Sequence, residues 1–322
     1  TSDPSQDGVV LPVVGDVTAG SRMHTRLQPD QTVRVFTGAA MPALADSGVP
    51  LAWTDNGETR VTNNPRVNPG DFVRKVGDDV TPGDIAVRAG TIVGPAQVGL
   101  LAAVGRDKVL VHPRPRVSII SVGNELVDLD RIPGQGQVYD VASYALTAAA
   151  LEAGAEVHRV GIVSTEPRAF RELVETQLLR SEIVVIAGAV GGIASEHVRN
   201  VLADLGEVEV ERVAMHPGSV QGFGLLGADQ IPTFLVPSNA VSALLVFELM
   251  VRPMIRIALG KRHPMRRIIR ARTIIPVTSM KGRAGYLCAQ LMRDEATGEY
   301  LVQALEGANQ STSNIKAKLT LK

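Results

Sequence analysis

Short apolar runs alternate with longer amphipathic stretches from residue 115 to about residue 260. The apolar runs predict strands, and the stretches in which apolar residues recur with a helical period predict helices. The predicted strands are Val117–Val122, Val157–Val163 and Glu182–Ile186, and the predicted helices are Ser143–Ala153, Pro167–Leu179 and Glu196–Leu205. Ser164 and Thr165 precede Pro167 and are candidate N-caps of the second helix. Strands that alternate with helices of this length indicate βαβ units and a parallel sheet.

The chain on either side of this region has a different pattern, in which short apolar runs are separated by Gly, Pro, Asp and Asn. Before it, Val33–Phe36 and Leu51–Trp53 are predicted strands, and Asp55–Glu58 carries an Asn-Gly turn signal. A helix is predicted at Pro95–Val104, and a second hairpin turn at Ala296–Glu299. The predicted domains are a β-rich domain at 1–66, a connector at 67–114, an α/β domain at 115–260 and a C-terminal β domain at 261–322.

The composition excludes several classes of protein. The 322 residues include 33 basic and 33 acidic side chains, so no net field attracts nucleic acid or an anionic membrane. The longest apolar run, Ala243–Val251, contains Glu248 and is far shorter than the roughly 20 residues of a membrane span, which indicates a buried helix. The single cysteine, Cys288, rules out an internal disulfide and fits a reducing cytoplasm. Because the sequence begins TSDPSQDG, we expect an N-terminal segment to be missing.

Ligands of parallel sheets bind beyond the carboxyl ends of the strands, which makes four segments candidates for one site. These segments are Val122–Asp140, Ala187–Glu196, Met215–Gly224 and Val236–Ser242. The second places glycines between a strand and a helix, where backbone N–H groups can approach an anion. A tight turn with close packing explains the same glycines equally well. The segment matches neither G-x-G-x-x-G nor G-x-x-x-x-G-K-[ST], so a dinucleotide or triphosphate loop is not indicated.

Carboxylates crowd the first of these segments, at Glu125, Asp128, Asp130 and Asp140. Carboxylate oxygens are ligands of hard cations such as Mg²⁺, and an ordinary solvated loop is the alternative interpretation. His197 and His216 lie in or beside two other segments, where a capping or surface role is the simpler interpretation. No His or Cys spacing in the chain indicates a zinc site.

Five stretches follow one another in an order and spacing that match a known family. They are Arg34–Pro42, Arg74–Val80 with Gly83–Asp84, Val117–Leu126, Gly136–Asp140, and Pro217–Gly218 with Gly222–Gly224. Together they resemble the MoeA family of molybdopterin molybdotransferases, whose eukaryotic relative is the E domain of gephyrin. The resemblance implies a multi-domain α/β plus β fold, with a central MogA-like parallel-sheet domain, a β-rich module before it and a small C-terminal β-barrel-like domain. It also implies a cytoplasmic homodimer whose active site uses loops from both subunits.

The resemblance carries a reaction and a set of residues. In the family, adenylylated molybdopterin and molybdate react, with Mg²⁺, to give molybdenum cofactor and AMP. By position, the resemblance implies catalytic roles for Asp79, Glu125 and Asp140, and metal binding by Glu125 and Glu196. Residues implied to bind the pterin nucleotide are Thr37, Arg74, Gly188, Asn239 and Ser242. Neither nucleic-acid binding nor membrane insertion is expected.

Several family motifs are altered in this chain. The T-G-[DE]-E pattern reads Val122-Gly-Asn-Glu125, and Ala142 stands in place of the Asn of D-x-N. Ser219 replaces the Lys of P-G-K-P, and Ser238 replaces the Gly of L-P-G-N-P-x-S. These changes imply a molybdotransferase with weakened or lost activity. The alternative is a gephyrin-like scaffold that binds a partner peptide, for example from a tubulin-like cell-division protein or a membrane receptor tail.

Overall fold

The structure is a computed structural model that describes residues 8–22, 26–63, 67–191 and 194–305. The chain divides into two compact units, Thr1–Val109 and Leu110–Lys322. The boundaries of the four domains expected from the sequence stay a prediction. Within the described residues, no helix combines the length and the apolar character needed to cross a membrane.

The described part of the first unit contains a small mixed sheet and one α-helix. Its elements are β1 (Val9–Val17), β2 (Thr32–Val35), β3 (Arg60–Asn63) and α1 (Pro95–Ala103). β1 lies between the other two strands, parallel to β2 and antiparallel to β3. α1 begins with a proline. Proline suits the first turn of a helix because an N–H group at that position would have no acceptor within the helix. The β-rich character and the predicted helix are both confirmed.

The prediction of a strand at Leu51–Trp53 is wrong, because these residues form one turn of 3₁₀ helix. The N–H and the hydroxyl of Thr54 both donate to the Leu51 carbonyl, which closes the turn. The turn predicted at Asp55–Glu58 is present. The Asp55 carboxylate accepts N–H groups of Gly57 and Thr62, and Asn56 takes a φ of 56°.

The second unit is built on a six-stranded sheet. In chain order, the strands of the whole second unit are β4 (Arg116–Val122), β5 (Leu126–Val127), β6 (Val138–Tyr139), β7 (Glu156–Val163), β8 (Ile183–Val190), β9 (Gly206–Arg212), β10 (Met215–His216), β11 (Val220–Leu226), β12 (Ile231–Pro237), β13 (Arg272–Thr273), β14 (Ala284–Gly285), β15 (Ala289–Arg293) and β16 (Tyr300–Ala304). Its helices are α2 (Val141–Ala153), α3 (Pro167–Leu178), α4 (Ala194–Ala203), α5 (Ala240–Val246) and α6 (Arg252–Ala258), with a π-helical turn at Phe247–Val251 between the last two.

The strand order of the large sheet is β7-β4-β8-β12-β11-β9. β7, β4, β8 and β12 are parallel, as the alternation of strands and helices predicts. β11 runs antiparallel to both of its neighbours, so it begins at the edge where the parallel strands end. The four candidate segments therefore all leave or enter the sheet at this carboxyl edge.

Helices cover both faces of the sheet and bury its apolar side chains. On one face, α2, α5 and α6 enclose a core that includes Leu146, Phe247 and Ile255, each fully buried. On the other face, α3 and α4 pack against the sheet through buried side chains that include Phe170 of α3 and Leu202 of α4. This arrangement confirms the buried helix predicted at 243–251 and the doubly covered sheet that parallel strands require.

The start of α2 and the N-cap of α3 differ from the prediction. α2 begins two residues earlier than expected, because the Asp140 carboxylate accepts the Ser143 N–H and caps the helix. The N-cap of α3 is Glu166, whose carboxylate accepts the N–H groups of Arg168 and Ala169. The assignment of this cap to Ser164 or Thr165 is therefore wrong, although the Ser164 hydroxyl accepts the Glu166 N–H.

The C-terminal part of the described chain forms a three-stranded sheet in the order β13-β16-β15. The hairpin turn predicted at Ala296–Glu299 joins β15 to β16 and is confirmed. The Asp294 carboxylate stabilises this turn by accepting the N–H groups of Ala296 and Thr297. Upstream of the sheet, Arg266 pairs with Glu248 and Glu152, and this pairing fastens the preceding segment to the helical layer.

Candidate functional site

A cleft of about 700 Å³ lies at the carboxyl edge of the parallel strands. It is lined by Val122, Gly123, Asn124, Glu125, Ser164, Thr165, Glu166, Gly188, Val190, His197 and Ser238. The segments after β4, β8 and β12 thus meet as predicted, whereas no described residue of the segment Met215–Gly224 lines the cleft. Residues 164–166 follow β7, although the sequence indicates only a capping role for Ser164 and Thr165. Every parallel strand of the sheet contributes to this cleft.

Gly188 lets β8 pass close to the end of β4. Its φ is +84°, and a Cβ at this position would lie 2.1 Å from the Val122 carbonyl oxygen. No side chain fits there, so the residue supports the close-packing interpretation of the glycine-rich segment. β8 extends to Val190, four residues beyond the predicted Ile186, so this glycine lies within a strand. Gly192 and Ile193 of the same segment lie outside the described residues.

Glu125 supplies an exposed carboxylate to the cleft. This carboxylate lies over Gly123, where an added Cβ would meet it at 2.8 Å. The Glu125 carbonyl accepts the Val138 N–H at 2.8 Å, so the backbone under the side chain is held by β6. The neighbouring Asn124 accepts a hydrogen bond from the Thr165 hydroxyl at 3.2 Å, which links the loops after β4 and β7.

Asp140 lies away from the cleft lining and is almost completely buried, with 1% of its surface exposed. Its carboxylate accepts hydrogen bonds from the Ser121 hydroxyl at 2.9 Å, the Ser143 hydroxyl at 2.5 Å and the Ser143 N–H. These contacts make it a helix cap and an internal link between β4 and α2. Ala142, where the family motif has Asn, is also buried.

Asp128, three residues after Glu125, takes part in an ion pair. It accepts hydrogen bonds from the Tyr144 hydroxyl at 2.6 Å and from the Arg159 guanidinium at 2.8 Å. These two bonds lower the pKa of the Asp128 carboxyl from 3.8 to about 2. Its charge is therefore committed to neighbours within the protein.

Asn239 and Ser242 begin the helix that follows β12. The Asn239 side chain accepts the N–H groups of Val241 and Ser242, both at 3.1 Å, and so caps α5. Ser238, directly before this cap, is exposed and lines the cleft. Glu196 is exposed in the first turn of α4, and the adjacent His197 is the residue of that turn that lines the cleft.

The cleft wall combines two carboxylates, Glu125 and Glu166, with neutral polar groups. Hydroxyl groups come from Ser164, Thr165 and Ser238, and an amide comes from Asn124. Among the described lining residues, none is Lys or Arg, so His197 is the side chain able to carry positive charge. Across the described chain, no group of three or more His, Cys, Asp or Glu side chains is placed to hold a metal ion.

Three of the residues implied by the resemblance belong to the first unit. Thr37 is exposed in the turn that follows β2. Arg74 and Asp79 form an ion pair with each other, and both side chains are largely exposed. Each of the two charges is thus partly neutralised by its partner.

Two stretches of the chain match known domain families. Residues 2–105 match the MoeA N-terminal region (domain I and II), and residues 118–257 match the probable molybdopterin binding domain. The second range includes every residue that lines the cleft.

Curated relatives and solved structures extend these matches. Molybdopterin molybdenumtransferase 1 of Mycobacterium tuberculosis is 64% identical over 98% of this chain and 74% of its own length. Molybdopterin molybdenumtransferase 2 of the same organism is 34% identical over 91% of this chain and 73% of its own length. The crystal structure of a molybdopterin biosynthesis MoeA protein from Pyrococcus horikoshii superposes with a TM-score of 0.74 and 29% identity, covering 95% of this chain and 74% of that protein.

Proposed function

The chain belongs to the MoeA family of molybdopterin molybdenumtransferases, and from this membership we propose that it inserts molybdate-derived molybdenum into adenylylated molybdopterin and releases AMP. One observation carries the proposal. The cleft lies at the carboxyl edge of the sheet, and all of its lining residues fall in the range that matches the molybdopterin binding domain. A volume of about 700 Å³ accommodates a single nucleotide-sized ligand.

The polar groups of the cleft suit a pterin nucleotide. The hydroxyls of Ser164 and Ser238 can donate to phosphate oxygens, and the Asn124 amide, whose oxygen accepts the Thr165 hydroxyl, offers its NH₂ group as a donor. His197, in its protonated form, adds a charge-assisted hydrogen bond to the same anionic group. Together these groups orient the substrate, and the Glu125 carboxylate is available to bind the metal.

Glu125 fits the part expected of a magnesium ligand. Mg²⁺ commonly binds through one or two carboxylates together with substrate phosphates and water, so Glu125 is sufficient on the protein side, while Glu166, the other carboxylate of the lining, caps α3. Bound Mg²⁺ would neutralise charge on the phosphates of the substrate. Glu196 is exposed one residue before His197, and we propose it as an outer partner of the same metal region.

We propose that turnover is slow, and the charge of the cleft wall supports this. A hydrogen bond to a charged group contributes about 1.5 to 3 kcal/mol, and each 1.4 kcal/mol is about tenfold in affinity. A cleft whose described lining residues include neither Lys nor Arg holds the phosphates of the substrate with neutral donors and one imidazole. Weak substrate binding is the expected result.

The proposal includes a cytoplasmic homodimer, as the family resemblance implies. Sedimentation at several protein concentrations measures the assembly state. A monomer at all concentrations would contradict this part of the proposal and leave the chemistry of the cleft unaffected.

The test of the function is AMP release from adenylylated molybdopterin by the full-length protein with molybdate and Mg²⁺. We expect slow turnover that Glu125→Ala abolishes. Glu209→Ala is the matched control, because Glu209 is exposed on the edge strand β9 and does not line the cleft. A folded wild-type protein that neither binds the substrate nor releases AMP would refute the enzyme and leave the peptide-binding scaffold as the interpretation to test.

A further inference from the structure

Arg159 lies at an irregularity in β7. Ile119 of β4 is paired with Arg159, and the next residue of β4, Ile120, is paired with Gly161. Val160 is therefore an extra residue on β7, as in a β-bulge. Bulges change the direction of the side chains beside them. Arg159 directly precedes this extra residue and lies on the same face of β7 as Val157, the face that α2 covers, beside the start of α2 and the loop after β4.

One guanidinium contacts both ends of the segment Asp128–Asp140. Its Nη2 donates to the Asp128 carboxylate at 2.8 Å, and its Nη1 lies 3.9 Å from the Asp140 carboxylate. Nη1 also donates to the Ser143 hydroxyl at 3.2 Å. The guanidinium lies 4.1 Å from the centre of the Tyr144 ring, which favours a cation in that place. The Arg159 side chain is 24% exposed, so solvent screens these contacts only in part.

The two ends of this segment hold the backbone of Glu125. β5 and β6 are paired in parallel, directly after Glu125 and directly before Asp140. The Val138 N–H donates to the Glu125 carbonyl at 2.8 Å, and the Asp140 N–H donates to the Val127 carbonyl at 2.9 Å. A shift of either end therefore moves the residue that carries the cleft carboxylate.

Apolar packing contributes little to the position of the segment between its ends. Leu129 is 58% exposed, Ile132 is 91% exposed and Val138 is 54% exposed. Segments with few buried apolar contacts open locally at a low free-energy cost. The polar contacts at Asp128 and Asp140, together with the backbone pairing of β5 and β6, therefore restrain its position.

We infer that Arg159 is a positioning residue for Glu125: it holds both ends of the segment Asp128–Asp140 and thereby fixes the cleft carboxylate in place. The inference deepens the proposed function and rests on it for the role of Glu125. The restraint on the segment itself is a physical property that is measurable without any substrate.

Hydrogen–deuterium exchange tests the restraint. Arg159→Met keeps the length of the side chain and removes its charge and its donors. We expect exchange of the Val138 and Asp140 amides to rise at least about tenfold, because a charge-assisted hydrogen bond is lost. Arg171→Met is the control, since Arg171 pairs with Glu175 and Asp204 on the surface of the same unit. The control should leave exchange across residues 126–140 unchanged.

Kinetics test the link to the cleft. In Arg159→Met we expect kcat for AMP release to fall about tenfold or more, while KM changes less than about twofold, because a displaced Glu125 weakens transition-state interactions and leaves binding contacts in place. Arg159→Lys should recover part of the loss, since an ammonium keeps the charge between the two carboxylates without the planar fork of donors. A general loss of stability would not be rescued in this selective way.

A second variant tests the same restraint if Arg159→Met does not fold. Tyr144→Phe keeps the ring beneath the guanidinium and removes the hydroxyl that donates to Asp128. It should change exchange in the same direction and by less. Unchanged exchange at residues 126–140 in Arg159→Met and Tyr144→Phe overturns the inference, as does faster exchange with an unchanged kcat. If the wild-type protein releases no AMP, the proposed function fails separately, and the exchange result still decides whether Arg159 holds the segment.

Discussion

Gly188 and Gly191 offer a matched pair of substitutions in one segment. Both glycines have positive φ, +84° and +89° respectively. A Cβ at Gly188 would lie 2.1 Å from the Val122 carbonyl oxygen, whereas a Cβ at Gly191 meets no atom of the described residues within 4 Å. Gly188→Ala therefore combines backbone strain with a clash, and Gly191→Ala produces backbone strain alone.

The two free energies follow from this difference. Left-handed backbone costs an L-residue about 1 to 2 kcal/mol, and the lower entropy of the unfolded alanine chain returns about 0.4 to 1 kcal/mol. Gly191→Ala should therefore destabilise by about 1 kcal/mol. Forcing an atom into closely packed backbone typically costs a further 1 to 3 kcal/mol. We expect Gly188→Ala to destabilise the second unit by about 2 to 4 kcal/mol.

The assay must report on the second unit. Trp53, the single tryptophan, belongs to the first unit, so its fluorescence is unsuitable. Urea unfolding followed through hydrogen exchange of the Val184–Ala187 amides measures the sheet directly. Equal destabilisation by the two substitutions would show that β4 and β8 separate freely at this point, and that the close approach does not fix the cleft wall.

Three further predictions concern single side chains. The pKa of Asp128 is lowered from 3.8 to about 2, so its bonds to Tyr144 and Arg159 stabilise the fold fully above pH 4. This contribution is lost as the pH falls from 4 toward 2. Acid titration should therefore show that the wild type loses stability more steeply than Asp128→Asn between pH 4 and pH 2. Asn239→Ala should destabilise by about 1 kcal/mol through loss of the α5 cap, and Asn239→Asp should keep the stability; urea midpoints measure both, and an unchanged Asn239→Ala would contradict the capping role. Glu248→Gln should destabilise by about 1 to 3 kcal/mol because it breaks the pairing with Arg266, whereas Glu172→Gln, in an exposed pair with Arg168, should change little; equal effects in thermal unfolding would refute the difference.

The sequence predicted the central fold because the apolar pattern of each element agrees with its final environment. β4 and β8 are buried along nearly their whole length; β8 reads as a continuous apolar run, and β4 as an apolar run interrupted by Ser118 and Ser121, both buried. The strand prediction at Leu51–Trp53 failed because three apolar residues after a proline suit a tight turn as well as a strand. The hydrogen bonds that Thr54 donates to the Leu51 carbonyl favour the turn. Short runs carry too little periodicity to make this choice.

The candidate site was predictable in part. The rule for parallel sheets brought together Glu125, Gly188 and Ser238, which line one cleft. The role of Asp140 as a cap was available from its place three residues before Ser143 at the start of a helix. The Arg159 contacts were not predictable, because they depend on neighbours far apart in the sequence, such as Asp128 and Ser143. The roles of Thr37, Arg74 and Asp79 stay predictions.

The strand order of the large sheet also determines when the cleft can exist. β12 pairs with β8, although β9, β10 and β11 lie between them in the sequence, so the sheet is rich in contacts of long sequence separation. Such topologies fold slowly, because distant segments must meet before their contacts compensate for loop closure. During synthesis, a chain that has not yet reached Ser238 has neither the last wall of the cleft nor a partner for the apolar edge of β8. That unpaired edge of β8 is a site for aggregation, and it stays exposed until β12 pairs with it.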